Sequence, residues 1–177
     1  ADNNSGATGA VTGELLTQLA DLPTEQALAT LAASGILTPS AAAQAAQLLL
    51  ATAASYPVQA ERWLPVIDAM LAATGSEPGA AADFAYARSR LAAEQGELVT
   101  AESLLQQARG LWQEAGDDIS LARSGLGLTQ LLAMQGRFDE AETTIRASIA
   151  ALSVMPSAET VLVEMDADGQ HDPAVLP

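Results

Sequence analysis

Two stretches forty residues apart carry nearly the same lettering: QGELVTAE at 95–102 and QGRFDEAE at 135–142. Each holds a Gln-Gly, an apolar residue two places after the Gly, and an Ala-Glu. A period of this length confines a chain to architectures in which one small supersecondary unit is used several times, because such a unit cannot bury its own apolar face and must stack on neighbours. Setting Ala60, Ala101 and Ala141 in register, at intervals of 41 and 40, aligns Leu64 with Leu105 and Ile145, and Leu71 with Trp112 and Leu152.

The unit is helical. Ala, Leu, Gln and Glu dominate, aromatics make up only 3%, and β-branched runs are scarce, so helix formers outnumber strand formers. Helices are predicted at about 80–95, 98–115, 119–135 and 138–153, with turns at Gly96, at 116–118 and at Gly136, where a left-handed residue closes a helix. Leu98, Ala101, Leu104, Leu105, Ala108 and Leu111 recur at three and four residues and form one apolar face; Phe138, Ala141, Ile145, Ser148, Ile149 and Leu152 repeat it. The small Ala101 or Ala141 permits close helix crossing, and Leu98 or Phe138 plugs the hairpin.

Upstream the pattern is less regular. Two short helices flank Pro23, with Thr24 placed to cap the second; TPSA at 38–41 opens another helix. The next, about 57–74, packs with Val58, Trp63, Val66, Ile67 and Leu71 and stops at Gly75, with a kink or late start expected at Pro65. The expected organisation is a flexible start at 1–12, a helical hairpin at 13–37, a repeat domain at 38–153 with units about 39–75, 79–116 and 119–153, and an acidic tail or linker at 154–177.

At these residues the chain resembles the tetratricopeptide repeat family, in Gly96, Leu98, Ala101, Leu105 and Ala108, and again in Gly136, Phe138, Ala141, Ile145 and Ser148. The first helices depart from its pattern, with Arg88-Ser89 and Leu128-Thr129 at the usual Leu-Gly/Ala pair, and Ala85 or Gly125 in place of a large residue. The longer period with a Gly-Asp linker is similar to that of bacterial repeats found beside caspase-like CHAT peptidase domains, signalling NTPases and transcription activators. The resemblance implies an all-α fold, α-α hairpin repeats forming a short right-handed α-solenoid, and a concave groove lined by the first helices. Arg88, Ser89, Ala92, Gln95, Arg123, Ser124, Leu128 and Leu131 are its candidate lining residues, with Arg88 or Arg123 either holding a partner carboxylate or pairing with Asp83, Glu94 or Asp118.

Charge narrows the partner. The net charge is −15, all seven bases are Arg, and residues 1–38 and 154–177 carry four and five acids with no base. Such a field repels nucleic acid and anionic membrane and favours a basic protein. With no Lys there is no phosphate loop, with no Cys no thiolate site or nucleophile, and the single His171 stands in the tail, so neither enzyme activity nor a cofactor is expected. DADGQHD at 166–172 has the alternate oxygens of a calcium loop but His171 at the turn glycine and Pro177 at the closing glutamate, so an acidic linker is the expected reading. TVLVEM at 160–165 reads as a short strand that could join another domain or partner, and Trp112 as core.

Residues 26–60 carry no charge, but their Gln, Ser, Thr, Gly and Pro disfavour a membrane span. The start lacks a basic region followed by an apolar run, and a cytoplasmic location is expected. The resulting reading is a non-catalytic interaction scaffold or adaptor that takes a partner peptide or helix in its groove. The alternatives are the regulatory half of a larger enzyme such as a CHAT-type peptidase system, and a structural subunit with 38–60 buried between chains. Exposed terminal faces also point to self-association or a larger assembly.

Overall fold

The computed structural model describes residues 10–155. The possible strand at 160–165, the calcium-like 166–172 and His171 lie outside the described residues. Eight helices make up the regular structure among those residues, with no strand: α1 (Gly13–Ala20), α2 (Thr24–Ala33), α3 (Pro39–Ala53), α4 (Pro57–Thr74), α5 (Pro78–Glu94), α6 (Leu98–Ala115), α7 (Asp118–Met134) and α8 (Phe138–Ser153). No helix among them is long and apolar enough to cross a membrane.

Local chemistry sets the boundaries. Thr12, Thr38 and Asp117 accept backbone N–H bonds from Leu15, Ala41 and Ser120 at 3.2, 3.1 and 3.0 Å, closing the open donors of α1, α3 and α7. Thr24 makes no such cap, because Pro23 already holds the entry to α2 in an extended conformation. Pro65 lies inside α4, which runs unbroken from Pro57 rather than starting late. The Gln-Gly turns are left-handed at Gly96 (φ 79°) and Gly136 (φ 77°). Glu97 and Arg137 then donate their backbone N–H to Ala92 and Leu132, both at 2.9 Å, so each helix closes through the same reversal.

Packing follows the chain order with one irregularity. α5 lies on α6 and α7 on α8, while α3 lies on both α4 and α5; the last pair of helices joins through α6 and α7. α1 and α2 lie across α4. There the Trp63 indole donates to Thr17 at 3.3 Å, and the Gln59 amide donates to the same hydroxyl at 2.5 Å. Within the uncharged stretch, Ala42, Ala45, Ala46 and Leu49 of α3 are fully buried, and α3 packs on α4 and α5, so it forms a core helix. Ala60 and Ala101 are fully buried and Ala141 nearly so, as close crossing requires.

Three apolar positions read as packed are exposed: Val58, Phe138 and, at 55%, Ile149. Val58 opens α4 on the surface at 74% exposure, and Phe138 is 68% exposed, because a first-turn residue points back past the helix end and no neighbouring helix among the described residues reaches it.

Candidate functional site

α5 and α7 are the helices expected from the sequence to line a concave groove. Between them runs a cleft of about 490 Å3, lined by Tyr86, Ser89, Arg90, Ala93 and Glu94 of α5 and by Leu126, Gly127, Gln130, Leu131 and Met134 of α7, with Leu105 of α6 beneath. Gly127 makes the approach possible: a Cβ there would lie 2.8 Å from the Tyr86 hydroxyl. Tyr86 in turn stands edge-on to Trp112, with ring centroids 5.4 Å apart. Leu126 and Met134 are half exposed and face the solvent with Arg90 and Glu94 opposite. The cleft thus offers apolar contact on one wall and charges of both signs on the other.

Of the eight residues expected from the sequence to line the groove, Ser89 and Leu131 do so. Ala92 and Leu128 are buried in the core shared with Ala101 and Leu105. Ser124 is buried, and its hydroxyl donates to the Leu121 carbonyl at 2.6 Å while accepting from Arg109 at 2.7 Å. Arg88, Gln95 and Arg123 are exposed but stand off the cleft. The Arg88 guanidinium lies over the Phe84 ring at 5.8 Å, and neither Arg88 nor Arg123 forms an ion pair among the described residues. Ser89 lines the cleft with a spent hydroxyl, which donates to the Ala101 carbonyl at 2.6 Å. The lining is therefore rotated by one or two residues from the expected set, since each residue along a helix turns the face by roughly 100°.

A second, larger cleft of about 990 Å3 lies on the other side of α7, against Thr144, Ala147 and Ala151 of α8. Arg109 forms part of its wall and donates to the Leu121 carbonyl at 3.0 Å and to Ser124. Burial lowers the pKa of this guanidinium. It acts as a bridge from α6 to the first turns of α7.

Carboxylates sit in contrasting surroundings. Asp117, capping α7, is held below the usual range by its hydrogen bonds from Ser120. Asp83 is pushed up, chiefly by burial and further by Asp117, while the Trp112 indole works the other way. A raised carboxyl pKa means folding favours the protonated form. That stabilisation is complete below the unfolded pKa of about 3.9 and disappears as pH rises through the folded value. Asp83→Asn is therefore expected to raise the thermal midpoint at neutral pH and to leave it unchanged near about pH 3, where the carboxyl is protonated in both states. Melting curves at the two pH values test this; equal midpoints throughout would remove Asp83 as a buried charge.

No group of three His, Cys, Asp or Glu able to hold a metal occurs among the described residues. Comparison with protein-family models, curated proteins and solved structures matches the chain to none of them.

Proposed function

We propose that the chain is a non-catalytic protein-interaction module of the tetratricopeptide-like, right-handed α-solenoid type, taking a peptide or helix of a partner in the α5–α7 cleft. The observation that carries this reading is the cleft itself, where exposed Leu126 and Met134 face Arg90 and Glu94. Soluble surfaces seldom offer apolar side chains in a concave setting without a use for them. The net charge of −15 steers a basic protein towards the chain and nucleic acid away from it. The chemistry of the cleft favours recognition: its serine hydroxyl, on Ser89, is already bonded to the Ala101 carbonyl.

The test is affinity capture from host lysate with the full chain as bait, beside a Leu126→Glu, Met134→Glu bait. Both positions are exposed, so the double variant keeps its helicity and midpoint. The expected result is a basic protein bound by the native bait and lost, by about tenfold or more, from the variant. Equal recovery by both baits would move the interaction off this cleft.

A further inference from the structure

The repeated Gln-Gly and Ala-Glu have a joint purpose that becomes visible only when the helices are stacked. Gln95, the last residue before the α5 turn, donates its amide to Glu61 of α4 at 2.6 Å. Gln135, forty residues on, donates to Glu102 of α6 at 3.0 Å and to the Leu98 carbonyl at 3.4 Å. The Glu of each Ala-Glu is thus an acceptor for the Gln of the following first helix. Arg137 reinforces the second rung with bonds of 2.8 and 2.9 Å to Glu102.

The third Ala-Glu is Ala141-Glu142, and among the described residues no following first helix reaches it; Glu142 bonds Arg146 on its own helix instead, at 2.5 Å. The rest of the α8 stripe is open in the same way. On α6 the face that receives α7 is Leu98, Glu102, Leu105 and Arg109. Its counterpart on α8 is Phe138, Glu142, Ile145 and Ile149. Leu105 is 1% exposed, whereas Phe138 and Ile149 are 68% and 55% exposed and Ile145 is half-buried. The opposite end is closed differently, with α1 and α2 laid across α4.

We propose that the α8 stripe is a docking edge for a partner protein's helix, one with an apolar face that ends in Gln-Gly and donates its amide to Glu142. Continuity argues for this occupant. Twice within the chain the Glu of an Ala-Glu accepts from the Gln that ends the next first helix. On α6 that helix, α7, also covers Leu98 and Leu105, whose places on α8 are taken by Phe138 and Ile145 beside the same acceptor. The inference rests on the repeat register and not on the α5–α7 cleft.

The probe is a peptide of residues 118–137, this chain's own α7 with its Gln-Gly, stapled between positions 126 and 130 so that it is helical before binding. In the folded chain α7 already occupies α6, which leaves α8 as the place for a second α7. Fluorescence anisotropy of the labelled peptide, titrated with the full chain, is expected to show saturable binding. Ile149→Glu in the chain weakens it about tenfold, and Gln135→Ala in the peptide about fivefold. The cleft variant Leu126→Glu leaves it unchanged, which separates this edge from the proposed function.

No binding, or equal binding to Ile149→Glu, overturns the proposal. So does self-association of the chain that Ile149→Glu abolishes, since a second copy then covers the stripe. Displacement of the stapled peptide by a peptide of residues 156–177 also overturns it, by assigning the stripe to the chain's own following segment.

Discussion

Gly125→Ala is expected to destabilise the chain by about 2 kcal/mol, although alanine is the better helix former by about 1 kcal/mol. Position 125 is buried in the middle of α7, where a Cβ would collide with the Ser148 hydroxyl and lie 2.9 Å from the Ser148 Cβ on α8. The hydroxyl could swing aside, but the Cβ is fixed to the α8 backbone, so the helices must part. Gly127→Ala supplies the contrast. Its Cβ meets the outer end of the Tyr86 ring, which can shift, and the expected loss is below about 1 kcal/mol. Denaturant unfolding of both variants, and of Gly125→Ala with Ser148→Gly, tests the geometry. Restoring at least about 1 kcal/mol through the second change is the coupling that contact requires. Simple additivity would mean that α7 and α8 are not closest here.

The two glycines also show where sequence reading reached and where it stopped. The period, the helical class and the left-handed turns at Gly96 and Gly136 follow from local chemistry, and the helices fall where that chemistry puts them. Gly125 reads in sequence only as a missing large residue. Its meaning, a close crossing, depends on Ser148 from another helix. Which residues of α5 line the cleft was not legible for a related reason. α5 is enclosed by α3 and α6 and buries Ala82, Phe84, Ala85, Ala87, Ser89, Leu91 and Ala92, which leaves little periodic contrast from which to choose a face. α6 keeps polar Gln106, Gln107 and Gln113 outward, and its buried side was legible. Even the repeated Gln and Glu were plain as letters. That one serves the other needs the stacking, because the partners are 34 and 33 residues apart and on different helices.

Enclosure also sets the size of the other large effect. Ala101→Trp is expected to cost more than about 3 kcal/mol and to reduce helicity, because Ala101 is fully buried in the core that α5, α6 and α7 share, and its own carbonyl is tied to Ser89. An indole there must displace α5 or α7, and either movement breaks a helix pair on both sides of α6. Ala141 occupies the same place one unit later, yet among the described residues α8 packs chiefly on α7, and its outward stripe is open. A tryptophan at 141 can push α8 outward without meeting a further layer, so Ala141→Trp is expected to cost roughly half as much. Circular dichroism melting of the two variants beside native chain decides the matter. If position 141 proves as intolerant as 101, α8 is held from outside by something that the described helices do not include, and the open edge is occupied in the protein as isolated. If 101 proves as tolerant as 141, the register that aligns Ala60, Ala101 and Ala141 fails, and the stacking inferred from the repeated Gln and Glu fails with it.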